Sequence, residues 1–348
     1  MFPYVPIFSE NTEHRDTAMD AVAIPEPWRD PARQVLAAVG WTGALSPVLG
    51  GASGALAFRF GEEGRERLLR LSDPEADRLR NPDQHACLEA AAQAGVAPPL
   101  RACDPAAGLL VMDFIRPRPL ASHPGDALGL AGDLGRLIRS LQSGARFPNA
   151  VNFGERLAGM MMVVRDAGHV QDGLLEPWVE GLERLRAAYP WDASGPVAAH
   201  CDPNPRNLLF DGERLWLVDW ETACATDPMV DLAILTLETV IGPEAETALL
   251  SAWLGRAPGQ GERDRLALMK PLVRLYYGLL ILVVTPPPAE PSTDLSALDP
   301  GAFAARIGDG RLPMGSPAMM TELAKITLAG FLADLAAPGV VEALGRRR

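Results

Sequence analysis

His200, Asp202 and Asn207 lie within one eight-residue stretch, HCDPNPRN, and Asp219 follows twelve residues after Asn207. Prolines and asparagines resist both helix and strand, so the stretch is a stiff loop carrying polar groups at fixed offsets. A carboxylate, an amide oxygen and a second carboxylate from a neighbouring element suit phosphoryl transfer from ATP to a hydroxyl. That reaction needs a base to accept or orient the hydroxyl proton, and hard oxygen ligands to hold Mg²⁺ against the phosphates. On this chemistry Asp202 is the base, and Asn207 and Asp219 are the metal ligands. Pro203 and Pro205 stiffen the path between base and first ligand, the preorganisation that electrostatic catalysis requires. The bland alternative is a turn whose Asn and Asp bond their own backbone, with Asp219 as a strand-end cap. It accounts for neither the spacing nor the rest of the chain.

These residues need elements to hold them. NLLFDGERLWLVDW (207–220) reads as a hairpin with Asp211-Gly212 as its turn. Three helical stretches precede the loop from about residue 126: ALGLAGDLGRLIRSLQS, FGERLAGMMMVVRDAGHV and EPWVEGLERLRAAY. Earlier, WRDPARQVLAAVGW reads as a helix with Asp30 as N-cap and Pro31 at its first position. Residues 45–73 alternate and are punctuated by glycine, which predicts three strands. Asn81-Pro82 opens an alanine-rich helix that Gly95 closes, and GLLVMDFI (108–115) is a further strand. LYYGLLILVV (275–284) is about half the length needed to cross a bilayer and reads as a buried helix ended by TPPP. A Pro- and Gly-rich interruption occupies 285–317. The order predicts an α+β chain: an irregular arm (1–25), a small antiparallel-sheet lobe (26–116) and a larger helical lobe with the loop (117–348). A ligand site between two such lobes is the default expectation.

Composition narrows the function classes. The 348 residues are 48% hydrophobic and 22% charged, ordinary for a globular chain and too long for one small core. A net charge of −12 argues against a nucleic-acid partner, which needs a basic face, and is compatible with a cationic substrate. The four cysteines show no CxxC or finger-like spacing, so reduced, mostly buried thiols are expected. The N-terminus has no basic region followed by an apolar core, and no stretch reads as a membrane span, which together predict a cytoplasmic protein. Nothing in the sequence sets the oligomeric state.

The linked motifs resemble those of the aminoglycoside phosphotransferase and choline kinase superfamily, small-molecule kinases with a protein-kinase-like two-lobe fold. The resemblance rests on HCDPNPRN, LVDWE (217–221) and DPMVDLA (227–233), in the family's order. It implies ATP and Mg²⁺ as cofactors and a small-molecule hydroxyl as acceptor. It also implies that His200 positions the loop and that Asp231 is a buried carboxylate fixing the loop from behind. A simple helix-N-terminal charge is the alternative for Asp231.

In the first lobe, Gly50, Gly51, Ser53 and Gly54 lie in a turn between strands that resembles the lid over ATP; glycine lets backbone N–H groups approach phosphates. Alone, such a cluster is a plain hairpin turn. The family places a cation on the third strand, usually lysine. This lobe has none, and Arg70 fits best, because Arg67 would point to the opposite face. Its expected carboxylate partner is Glu89, with Asp83 and Gln84 as alternatives. Backbone groups from Asp113 to Ile115 resemble the hinge that bonds the adenine edge.

Glu221 shares a strand face with Asp219 and is the candidate to meet a cationic substrate. Trp216, Trp220, Trp253, Tyr276 and Tyr277 are candidate faces for a quaternary ammonium, or core packing. DWETA followed by DPMVDLA looks closer to the choline/ethanolamine branch. A protein kinase is disfavoured because the short route from 219 to 231 has no room for an activation segment. A nucleotide-binding pseudokinase without turnover remains the alternative, supported only by the missing lysine.

Overall fold

The computed structural model describes residues 24–48 and 55–347. In chain order the elements begin with α1 (Glu26–Ala38), β1 (Ser46–Pro47), β2 (Leu56–Phe60), β3 (Arg67–Leu71), α2 (Pro74–Arg80) and α3 (Gln84–Gln93). There follow β4 (Leu100–Asp104), β5 (Leu109–Asp113), α4 (Ala127–Gly144), α5 (Phe153–Asp166) and α6 (Glu176–Ala188). The loop region holds β6 (Val197–Ala199), β7 (Leu208–Phe210), β8 (Leu215–Leu217) and β9 (Cys224–Thr226). Helices α7 (Met229–Glu238), α8 (Pro243–Leu254), α9 (Gln260–Val284), α10 (Pro300–Gly308), α11 (Pro317–Leu335) and α12 (Pro338–Gly345) complete the chain.

The chain divides into two compact units, and the division does not follow a boundary at 116/117. The first sheet, α1 to α4 and the segment Val197–Ala225 form one unit; Val151–Pro196 and the chain from Thr226 onward form the other. The catalytic segment therefore packs with the sheet-bearing part of the chain.

In that unit, a five-stranded sheet runs in the order β1-β2-β3-β5-β4, with every described pairing antiparallel. Strand periodicity sorts its residues. Phe58, Phe60, Leu69, Leu71, Leu109 and Val111 are buried together against Ala32 and Leu36 of α1. Burying side chains of this size stabilises by roughly 1.5–3 kcal/mol each. Arg67 shares the alternation of Leu69 and Leu71, and its Nη1 donates to the Val39 carbonyl just past α1 at 2.9 Å. Arg70 falls on the other face.

Gly108 shows why the turn into β5 needs glycine. Its φ is +65°, and a Cβ there would stand 1.9 Å from the Ser72 carbonyl oxygen. That carbonyl-to-backbone approach lets Ser72 donate its N–H to Gly108 O at 2.9 Å. Ser72 Oγ in turn donates to Asp77 Oδ2 at 2.6 Å, tying α2 to the sheet.

The N-terminal helix departs from expectation. It begins at Glu26 rather than at Asp30, and Pro31 lies inside it. Pro25 precedes the helix and Pro27 lies in its first turn, where a missing N–H costs nothing, so the first turn extends back past Asp30. Helix α2 was not expected. Its signal was present: Asp73 caps it, accepting from Glu75 N at 2.9 Å, and Pro74 opens it. The expected helix closed by Gly95 is α3, with Gly95 at φ +70° just past its end.

In the other unit, α9 is the central helix, packed by α5, α7, α11 and α12. By length and composition it is the one described helix able to cross a membrane unbroken; α11 and α12 qualify only as a bent pair. Most of its apolar residues are instead core: Leu266, Leu268, Met269, Leu272, Val273, Leu275, Tyr276, Leu279 and Leu282 are buried, while Val283 and Val284 at its end are exposed. It ends at Val284, where TPPP begins, as the prolines predict. The interruption at 285–317 contains one unexpected helix, α10, capped by Asp299.

The unit's charged anchor is Asp227. It accepts from Tyr189 Oη at 2.8 Å, Met229 N at 2.8 Å and Arg265 Nη2 at 3.0 Å. Asp231, four residues on, lies fully buried in the first turn of α7.

Candidate active site

The loop between β6 and β7 is built around a buried histidine. His200 is inaccessible, and its ring packs edgewise on Trp220 with centroids 4.5 Å apart. Its Nδ1 accepts the Asp202 backbone N–H at 3.3 Å, so Nε2 carries the hydrogen and donates to Val218 O at 2.9 Å. Burial pushes its pKa down to about 4, against the smaller opposing effect of the Val218 bond. His200 is thus a neutral strut joining the residue before Asp219 to the backbone of Asp202, and not a proton carrier.

Asp202 is gripped at both carboxylate oxygens. Asn204 Nδ2 donates to Oδ1 at 2.8 Å and Asn207 Nδ2 donates to Oδ2 at 3.1 Å. Asn207 Nδ2 also reaches the Asp202 carbonyl at 3.0 Å. Only an amide nitrogen satisfies two such acceptors, so Asn207 must turn its Oδ1 away from Asp202. The turn is closed by Asn204 N to Asp202 O at 2.8 Å and Asn207 N to Asn204 O at 3.0 Å.

The β7–β8 register places Leu208 opposite Leu217, and Val218 N donates to Asn207 O at 3.0 Å. This pairing brings Asp219 next to Asn207 across the hairpin. Asp219 and Cys201 hold φ values of 67° and 62°, the only positive ones among the described non-glycine residues. Strain of this kind persists where surrounding bonds over-determine the backbone, and here it flanks the loop on both sides.

The field around Asp219 is mixed. Burial raises its pKa most; Arg70 opposes this, Asp202 adds to it, Arg80 opposes and Asp77 adds. Among the described residues its carboxylate has no hydrogen-bond donor or ion-pair partner. A half-buried carboxylate without a donor, beside an amide oxygen turned away from its own loop, is a donor set that suits a hard cation. The residues present therefore fit Mg²⁺.

Arg70, the candidate for the strand cation, lies on β3. Its charge acts on Asp219, on Glu221 and on His85. Glu89 is not its partner: it is exposed on α3, accepts from Gln93 at 3.5 Å and acts on Cys103. His85, one turn earlier on the same side of α3, is an α3 residue on which the Arg70 charge acts.

Glu221, the candidate to meet a cationic substrate, carries an ion pair. Its Oε2 pairs with Arg80 at the end of α2. Burial raises its pKa first, then Asp219; Arg80 and Arg70 act against them. Arg80 escaped the sequence reading because α2 did.

At the hinge, Asp113 donates its N–H to Pro99 O at 2.9 Å and Phe114 donates to Glu66 O at 3.0 Å. The Asp113 side chain is held by Arg101 at 2.7 and 2.5 Å. Ile115 is the first residue past the strand whose N–H makes no backbone hydrogen bond among the described residues. Gly50, Gly51, Ser53 and Gly54 lie outside the described residues, as do 1–23 of the N-terminal arm.

All four cysteines are free, three of them buried. Burial, with Asp83 and Cys224 nearby, pushes Cys87 up to about 12. Of the aromatic candidates, Trp220 and Tyr276 are buried, and Trp216 donates from Nε1 to Asp211 at 2.7 Å.

The small antiparallel sheet and the many helices place the fold in the protein-kinase-like α+β class. The model of the phosphotransferase enzyme family matches residues 44–268, and the chain belongs to that family. It is a small-molecule kinase with a hydroxyl acceptor. Among solved structures, a choline/ethanolamine kinase family protein from Mesorhizobium loti is 25% identical, with a TM-score of 0.67; the alignment covers 92% of this chain and 98% of that one. The choline kinase LicA from Streptococcus pneumoniae is 16% identical over 74% of this chain and 91% of its own, with a TM-score of 0.55. A streptomycin–ATP–APH(2″)-IIa ternary complex has 14% identity, coverage of 75% and 91%, and a TM-score of 0.55. No curated protein sequence matches the chain.

Proposed function

We propose that this protein transfers the γ-phosphoryl group of ATP to a hydroxyl of a small amine-bearing molecule, with Asp202 as the base. The observation that carries the reading is the double amide grip on Asp202 beside an Asp219 carboxylate that lacks a donor among the described residues. The acceptor oxygen attacks the γ-phosphorus and its proton passes to Asp202. The bond from the γ-phosphorus to the bridging oxygen breaks, and ADP leaves. Asn207 and Asp219 hold Mg²⁺, which when bound neutralises charge on the phosphates. Arg70 supplies a forked donor to the phosphates in place of lysine. The Ile115 N–H serves the adenine edge.

An amine-bearing acceptor is supported by the net charge of −12 and by the near-complete coverage of the choline/ethanolamine kinase family structure. Choline-like and ethanolamine-like alcohols are the first candidates and aminoglycosides the second. A cytoplasmic setting is supported by the four free thiols.

A nucleotide-consumption screen with Mg²⁺ over choline, ethanolamine, aminoglycosides and neutral sugars tests the proposal. One amine-bearing alcohol should respond, and Asp202→Ala should lose turnover by about 100-fold or more while still binding nucleotide. Full activity in Asp202→Ala would reject the base. A response to neutral sugars alone would reject the acceptor class.

A further inference from the structure

We infer that Asn204 is a positioning residue for phosphoryl transfer, fixing the direction in which the Asp202 carboxylate faces its acceptor; this rests on Asp202 being the base. Asn204 had no role in the motif, which requires only His200, Asp202 and Asn207. It is 7% exposed, deep for an amide side chain on a loop. Each of its polar functions is used. Its Nδ2 donates to Asp202 Oδ1 at 2.8 Å, and its Oδ1 accepts Arg206 N at 2.9 Å. Its backbone N–H and carbonyl close the turn from Asp202 to Asn207.

A carboxylate on a single torsion is free to rotate about that bond, and a base needs one oxygen held toward the hydroxyl. Asn207 alone holds one edge, and as a metal ligand it also answers to the cation. Asn204 binds the second oxygen from a side chain that is itself anchored by Arg206 N, so the carboxylate plane is set independently of metal. Pro203 and Pro205 on either side limit the backbone freedom of Asn204. The prolines thus serve Asn204 as well as the span from base to ligand.

Asn204→Asp separates this role from loop structure. The variant is isosteric and keeps the oxygen that accepts Arg206 N–H, but replaces the donor to Asp202 with an acceptor. Asn204→Ala removes both. Steady-state kinetics, nucleotide affinity and thermal melting are measured on both variants with Asp202→Ala in parallel. Expected are a fall in kcat of about 10- to 100-fold in both, and KM and nucleotide Kd within about 2-fold of wild type. Melting should drop in both, in Asn204→Asp because a second buried carboxylate then faces Asp202, so the kcat loss at unchanged KM and nucleotide Kd, and not stability, reads the role. Wild-type kcat in Asn204→Asp, with Asp202→Ala inactive, would overturn the inference and leave the base standing. Loss in Asn204→Asp that appears mainly in KM, or alongside a fully active Asp202→Ala, would also overturn it, because Asn204 would then act other than through the base.

Discussion

Asp227→Ala should unfold the helical unit more readily than any single surface change, and the reason lies in what one carboxylate holds. Its side chain is 5% exposed and accepts three bonds, from Tyr189, Met229 N and Arg265. The Arg265 side chain is 10% exposed and, once Asp227 is gone, keeps Ser194 Oγ at 2.8 Å and the Tyr189 side chain but loses the carboxylate it pairs with. Removing one partner of such a pair leaves an uncompensated buried charge, which costs about 3–5 kcal/mol. For a chain of this length that lowers the melting temperature on the order of 10 °C. Urea and thermal denaturation of Asp227→Ala, Arg265→Met and the double variant form the assay. The double variant should recover about 2 kcal/mol of the loss, since the orphaned guanidinium is gone although Tyr189 and Met229 N still lack an acceptor. A loss below about 1 kcal/mol in Asp227→Ala, or a double variant no better than the single, would refute the reasoning.

Three further outcomes follow from the site. His200 has a folded-state pKa of about 4, below its ordinary 6.5, so its contribution to stability is complete above pH 6.5 and is lost as pH falls toward 4. The span is worth roughly 3 kcal/mol, and His200→Gln should remove that part of the pH dependence of urea unfolding. Asp219→Asn, measured in EDTA, should melt about 1–3 °C higher than wild type, because a donor-less half-buried carboxylate near Asp202 loses its charge. The same variant should lose turnover and any stabilisation by nucleotide with Mg²⁺. Arg70→Ala should weaken nucleotide binding about 10- to 100-fold and Arg70→Lys much less, as read by calorimetric titration. Equal binding by all three proteins would remove Arg70 from the site.

The loop between β6 and β7 was legible because its chemistry is local. His200, Asp202 and Asn207 sit within one turn, and proline and asparagine fix the backbone that separates them. Asp219 was legible for the same reason, since a short hairpin carries it back to Asn207 with a register set by its turn. Strand alternation alone sorted Arg70 from Arg67, and the structure ties Arg67 to Val39 on the α1 face.

Partner choice across the fold was another matter. Glu89 looked like the natural companion of Arg70, but it is exposed on α3 and bonded to Gln93, and the Arg70 charge acts on His85 one turn earlier. Glu221 looked free until α2 delivered Arg80 to it across 141 residues. Asn204 looked like one more turn-former, and only the folded loop aims its amide at Asp202. The sequence by itself determined which polar groups the loop and hairpin bring together and how far apart the backbone holds them, because those offsets are set by local torsions. The tertiary structure alone decided which charges neutralise which and how the base is oriented. Those depend on helix phase and long-range packing, to which one-dimensional spacing is blind.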